Sequence, residues 1–466
     1  MKYAFIILLF FSVFALRAQE NESIYTKKVL EKVSVQTLFS YYAQDGQNAA
    51  VTGGEGTEEL TNAAPTMVVQ IPIGENGILS VDAGISAYTS ASSSNVNPFD
   101  RSASWGDDND HDDKYEDHDD KSFGSTQALS YVNGNQGASP WVASSGASRS
   151  DVLAHFNPSY AHFSEDRNTI YNASLAFSKE YDYQSIGFGM GISKLYNEKN
   201  TELGLNLQVY MDEHDPQYPI ELRTGFFDSN IRGEGTYTNA FAAFSQTKRN
   251  TYALSLNLAQ ILTNKMQVSF FIDAVMQEGL LSSPLQRVYF ADKENFFIDA
   301  FQLADNVERL PFYRYKYPVG ARMNFYLSDT FILRSYARYY ADSWGVQGLT
   351  AEIELPIIFG LNWAVFPSFR HYSQTAADNF YPKEMAKSTD EYYTSDYDLS
   401  AFNSQQWGVG IRYKDILGQL SLWKVGLKSI ELRYIHYNRS NGLSFDQTAL
   451  ASILTLINTT DCTRID

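Results

Sequence analysis

Residues 313–340 read YRYKYPVGARMNFYLSDTFILRSYARYY. The stretch divides into two strands around a short turn at Leu327-Ser328-Asp329-Thr330. Side chains alternate between the two faces of a strand. On the first strand Val319, Ala321, Met323 and Phe325 share one face, and Arg322, Asn324 and Tyr326 share the other. On the second, Phe331, Leu333, Ala337 and Tyr339 lie with Ser335 opposite a face made of Arg334, Tyr336, Arg338 and Tyr340. A soluble core would account for the apolar face. It would not account for the same two-residue period recurring along nearly the whole chain with no helical pattern between. A closed barrel in lipid accounts for both, with the apolar face turned to acyl chains and the polar face to the lumen.

Outward from this hairpin the pattern continues. Strands are expected at residues 33–42, 66–73, 78–88, 152–164, 169–179, 184–195, 201–210, 247–258 and 266–276. Others follow at 349–358, 363–372, 405–414 and 429–437, with a last one inside 443–457. The connections alternate in length. Long ones lie near 43–65, 89–151, 212–246, 277–312 and 373–404, and short ones near 74–77, 165–168, 196–200, 259–265, 327–330 and 359–362. A brief turn at 180–183 is the exception on the long side. This asymmetry predicts an all-β fold: an antiparallel transmembrane β-barrel of about 16 strands, with short periplasmic turns and long extracellular loops.

Composition agrees with that class. The chain has 466 residues with 32 Tyr and 30 Phe, an aromatic excess that suits strands and interfacial girdles. Net charge is −18, which argues against nucleic acid as a partner. The single cysteine, Cys462, rules out an internal disulfide. Lys2, the apolar run Ala4 to Leu16 and the small Ala18 form an export signal over residues 1–18. A periplasmic segment over 19–32, a barrel over 33–457 and an atypical tail over 458–466 complete the expected organisation, with outer-membrane lipid as the surrounding partner.

Several segments are more specific than strand pattern. They are Phe39-Ser-Tyr-Tyr with Gln44-Asp45-Gly46, Ala50-Val51-Thr52-Gly53-Gly54, Asp82 to Ser94 and Ser145-Gly-Ala-Ser148. Further on come Gln286-Arg-Val-Tyr-Phe-Ala-Asp292, Gln302-Leu-Ala-Asp305, Arg309-Leu-Pro311, Gln374-Thr-Ala-Ala-Asp378 and Tyr393-Thr-Ser-Asp-Tyr-Asp398. With these the chain resembles the domain-of-unknown-function family 3570, over roughly residues 25–443. The resemblance implies an exported outer-membrane barrel of a Gram-negative bacterium and implies no chemistry.

Two constellations are candidates for function. Residues 107–121 hold nine acids and two lysines, a local charge of −9 + 2 = −7. Asp108, Asp110, Asp112 and Asp119 have part of the spacing of a calcium loop, although the sixth position is Asp113 where such loops need glycine. His111 and His118 add transition-metal ligands. The segment is therefore a candidate site for Ca2+ or another divalent cation, against the simpler reading of a solvated loop tip; no other cofactor is implied. The second constellation is on the strands: Arg322, Arg334, Arg338, Arg370, Arg412 and Arg433, with Glu352, Glu354 and Glu431, all opposite apolar faces. One reading is an electrostatic constriction for small polar, anionic or zwitterionic solutes. The other is a ladder of ion pairs that stiffens the wall.

Motifs for catalysis are absent: there is no G-x-S-x-G, H-E-x-x-H, Walker loop or dinucleotide fingerprint. Asp212-Glu213-His214-Asp215, at a strand rim, is an acid–histidine group of a kind that could activate water. The chain is thus expected to be no enzyme but a channel or transport component. A surface binding module built on the acidic loop is the alternative, and a hydrolase at the rim a third.

Overall fold

A computed structural model of the protein describes residues 28–89, 150–238, 241–416, 418–422 and 425–456. Sixteen antiparallel strands form the wall. They are β1 (Ser34–Asp45), β2 (Leu60–Ile73), β3 (Gly77–Thr89), β4 (Ser150–Phe163), β5 (Thr169–Lys179), β6 (Tyr183–Tyr196), β7 (Thr201–His214) and β8 (Lys248–Thr263). Then come β9 (Met266–Gly279), β10 (Tyr313–Lys316 with Val319–Tyr326), β11 (Ile332–Ala341) and β12 (Gln347–Glu354 with Ile357–Phe359). The last four are β13 (Trp363–Gln374), β14 (Phe402–Lys414), β15 (Val425–Arg439) and β16 (Ser444–Leu456). Each strand pairs with the next, and β1 closes on β16 in register from Ser34↔Thr455 to Asp45↔Ser444. Closure leaves no unpaired edge, which lipid would not tolerate.

The two faces separate as the alternation requires. On β6, Ile186, Phe188, Met190 and Ile192 are exposed outward, while Ser185, Gly187 and Gly189 between them are buried. The same holds for Leu254, Leu256 and Leu258 on β8, Ile353 on β12 and Val409 and Ile411 on β14. An apolar exterior of this kind is stable only against acyl chains.

Two expected strands are interrupted by proline. In β10 the ladder breaks at Tyr317-Pro318, and in β12 at Leu355-Pro356. Proline has no N–H to give to the ladder. Its carbonyl is still used: Pro318 accepts from the Asp273 N–H at 2.9 Å and Pro356 from Ile332 at 3.1 Å. On the long-loop side, the brief connection at 180–182 is joined by two more, at 342–346 and 440–443. The final strand forms over Ser444–Leu456 despite its weak alternation, because both β15 and β1 pair with it.

Candidate functional site: the lumen and its mouth

The connections expected to be outside loops fold into a packed cap. The β1–β2 and β9–β10 connections are rooted half a circumference apart, yet Gly53 of the first abuts the ring of Tyr289 of the second. A Cβ on Gly53 would lie 2.7 Å from that ring, and its φ of +76° already favours glycine. The contact therefore crosses the mouth of the barrel. The β7–β8 and β13–β14 connections complete the cap. Leu222, Tyr289, Ala304 and Val307 form one buried cluster, Ile220, Ile298 and Leu303 a second, and Val288, Phe290, Ala386 and Tyr393 a third.

Inside this cap lies a fully buried ion pair. Arg287 Nε donates to Glu221 Oε1 at 2.7 Å and its Nη2 to Oε2 at 3.3 Å, both side chains being 0% exposed. The guanidinium also lies 5.6 Å over the Phe301 ring. Other carboxyls of the cap have raised pKa values. Thr394 donates to Glu308 at 2.6 Å, and burial and the nearby Asp396 raise the Glu308 carboxyl above its ordinary range. Burial and Asp398 do the same to Asp396. Glu58, in the β1–β2 connection, is pushed up to about 7 by burial and by Asp398, against the opposing pull of Arg439.

The cap is tied to the wall at its rim. Arg439 donates to Asp398 at 2.7 Å, Gln374 Nε2 to the carbonyls of Asp398 and Ser400 at 2.9 and 2.7 Å, and Arg314 Nε to Asp342 at 2.9 Å. Asp212 pairs with Arg249 at 2.7 Å, and His214 leans on the Tyr183 ring at 4.9 Å. The acid of this rim group thus faces a guanidinium, the geometry of a strut between β7 and β8.

Below the cap, the nine charged residues singled out on the strands lie on the inner face and divide into two sets. Five form a chain: Arg334–Glu354 at 2.8 Å, Glu354–Arg433 at 2.8 Å, Arg433–Glu431, and Glu431–Arg412 at 3.8 Å. Glu354 on β12 reaches Arg433 on β15 over Ser368 and Gly408, its successive partners across β13 and β14, because both are small. The rings of this region are cation-facing too, with Arg412 and Arg433 4.6 and 5.2 Å over Phe366. The chain holds three guanidinium groups and two carboxylates, so 3 − 2 leaves one positive charge.

The other set is Arg322, Arg338, Arg370 and Glu352. Glu352 stands in register opposite Tyr336 on one side and Arg370 on the other, but no ion pair within 4 Å joins it to an arginine among the described residues. On β11 the arginine with a carboxylate partner is Arg334, and the partner is Glu354, two residues nearer the short turns. Arg338 and Arg370 each bury an Nε with no hydrogen-bond partner among the described residues. Arg322 is exposed although it faces inward, as are Gln208, Asn257, Gln267 and Asn324. Solvent therefore reaches the inner wall at this level, and side chains do not fill it.

The acidic insert, with Asp108, Asp110, Asp112, Asp119, His111 and His118, lies outside the described residues. Among the described residues no three His, Cys, Asp or Glu side chains gather as a metal site.

A closed sixteen-strand barrel, apolar outside and charged within, defines a channel-like membrane β-barrel. More particularly, the chain belongs to the family described as protein of unknown function DUF3570, whose model matches residues 8–429. No curated protein matches it. Among solved structures it is similar to a bacterial polysaccharide outer membrane secretin, at 8% identity and a TM-score of 0.40 over 91% of this chain and 98% of that one. It is also similar to OccK1 (OpdK) of Pseudomonas aeruginosa, at 8% identity and 0.37 over 91% and 98%. A BenF-like porin of Pseudomonas fluorescens Pf-5 gives 7% and 0.39 over 92% and 100%.

Proposed function

We propose that this chain is an outer-membrane channel for small polar solutes, with a preference for anions set by Arg322, Arg338 and Arg370. The supporting observation is their position: inward, beside accessible lumen, and outside the ion-pair chain that occupies Arg334, Arg412 and Arg433. A guanidinium without a paired carboxylate leaves positive potential in the lumen, and the low-dielectric wall focuses it on a passing ion. The two readings of the charged strands are thus both in use, by different residues. The paired chain stiffens the wall, and the unpaired arginines select.

The experiment is a reversal potential in a planar bilayer under a salt gradient. The wild type should be anion-preferring, and the double variant Arg338→Ser with Arg370→Ser should shift toward cations with unchanged heat-modifiable migration. A conducting wild type whose reversal potential is insensitive to both substitutions overturns the assignment.

A further inference from the structure

A cavity of about 440 Å³ on the inner face of the wall combines opposite charges. It is lined from five consecutive strands, β7 to β11. Arg322 and Arg338 stand on one side, on β10 and β11, and Asp273 on β9 faces them, with Asn206, Gln208, Ser255 and Asn257 beyond it on β7 and β8. By its chemistry this is no simple anion trap, because an aspartate shares the space.

The charges are held apart by the wall itself. Arg338 is opposite Gly320, and Gly320 opposite Phe271, while Asp273 lies two residues further along β9. At roughly 4.8 Å between strands and 3.3 Å per residue, the Cα atoms of Asp273 and Arg338 are on the order of 12 Å apart. Gly320 leaves the gap into which Phe271 lies: a Cβ there would sit 2.2 Å from the ring. Phe271 and Tyr336 stack in parallel at 5.9 Å, and the Arg322 guanidinium lies over both rings, at 5.9 and 5.3 Å. Cation–π contact of this kind holds Arg322 without consuming its hydrogen-bond donors. Arg338 keeps a buried Nε unpartnered, and no ion pair within 4 Å ties Asp273 to either arginine among the described residues.

We infer that this cavity is a binding subsite for a small zwitterion of the α-amino acid type. The carboxylate is taken by Arg338 and Arg322 and the ammonium by Asp273 with Ser255, its register partner. Such a solute carries both charges a few bonds apart, and it bridges donors and an acceptor that no ion pair within 4 Å joins among the described residues. The amides of Asn206, Gln208 and Asn257 accommodate polar side chains without adding charge. This rests on the channel reading, since it names the solute class for the same lumen, but binding and conduction are separately measurable.

The test is calorimetry on the full chain in detergent with three probes of matched size: L-alanine, propionate and propylamine. L-alanine should bind at least roughly tenfold more tightly than either single-charge probe, one charge-assisted contact being worth about that factor. Asp273→Asn should abolish the advantage of L-alanine over propionate, and Arg338→Gln should weaken both while leaving propylamine alone. Heat-modifiable migration reports that each variant is folded. Equal binding of L-alanine and propionate, or an unchanged ratio in Asp273→Asn, overturns the subsite. Binding of L-alanine by a barrel that carries no current keeps the subsite and removes the channel reading. A conducting barrel that binds none of the three keeps the channel and removes the subsite.

Discussion

The wall and the cap are made by opposite rules. In the wall, apolar side chains point away from the molecule and charged ones inward; Ile353 is 54% exposed while its neighbour Glu354 is only 12% exposed. In the cap the order is that of a soluble protein, with Ile298 and Ala304 at 0% exposure and connecting segments on the surface. The wall is held by a continuous ladder that lipid strengthens. The cap is held by small apolar clusters and a few buried polar pairs, so single contacts matter more there. The two parts should therefore fail separately.

The sharpest break is at Arg287. Removing one partner of a fully buried ion pair strands the other charge, which typically costs about 3–5 kcal/mol. Arg287→Met leaves Glu221 without its guanidinium at 0% exposure. The cap should then open to limited proteolysis within 280–312 and 375–401, and conductance should rise, while heat-modifiable migration of the wall stays where it was. Loss of the wall along with the cap would mean the two are one cooperative unit.

A smaller effect is expected within the wall. Glu354→Gln removes the carboxylate shared by Arg334 and Arg433, whose side chains are 43% and 35% exposed. Water at that level screens what remains, so the cost should be about 1 kcal/mol or less. It should appear as a modest fall in the temperature of heat-modifiable migration, with the protease pattern of the cap unchanged. Opening of the cap to protease in this variant would contradict the independence of wall and cap.

The sequence reveals these two parts to different extents, for a physical reason. A strand in a barrel wall has a period of two enforced by lipid on one side and water on the other, so Ile186, Phe188 and Met190 announce the face they take. Cross-strand pairs between neighbours, such as Arg334 and Glu354, follow from the same pattern. Glu354–Arg433 does not, because it spans two intervening strands and depends on Ser368 and Gly408 being small. The cap has irregular backbone and so no period to read. Its signal is density: Val288, Tyr289, Phe290, Phe296, Phe297, Ile298, Phe301 and Leu303 are too many apolar residues for a solvated loop. Five of the segments that carry the family resemblance, 286–292, 302–305, 309–311, 374–378 and 393–398, lie in this cap or at its root. Their partners, such as Glu221 for Arg287, are 66 residues away in sequence. Contacts at that distance between aperiodic segments leave no local trace.

The smallest expected effect is also the one that distinguishes cap from wall without breaking either. Glu58 sits where the β1–β2 connection meets Asp396, Asp398 and Arg439, with Tyr42, Arg370, Tyr372 and Tyr437 on the wall around it. One of its carboxylate oxygens is buried with no hydrogen-bond partner among the described residues. Burial and the Asp398 charge raise its pKa from 4.5 to about 7. A folded-state pKa above the unfolded one means that the folded cap binds the proton more tightly. Its stabilisation is fully present below pH 4.5 and is lost as pH rises through about 7. Asp396, Glu308 and Asp305, raised in the same direction, add to the same trend. Protease cleavage of the cap should therefore quicken between about pH 5 and pH 8, while the wall, measured by heat-modifiable migration, shows no matching step. Glu58→Gln keeps the shape and removes the charge, so it should reduce the rise in cleavage across this window to the part due to Asp396, Glu308 and Asp305. A variant that tracks the wild type at every pH would assign the trend to other carboxyls, and a wild type that is cleaved faster at pH 5 than at pH 8 would reverse its sign.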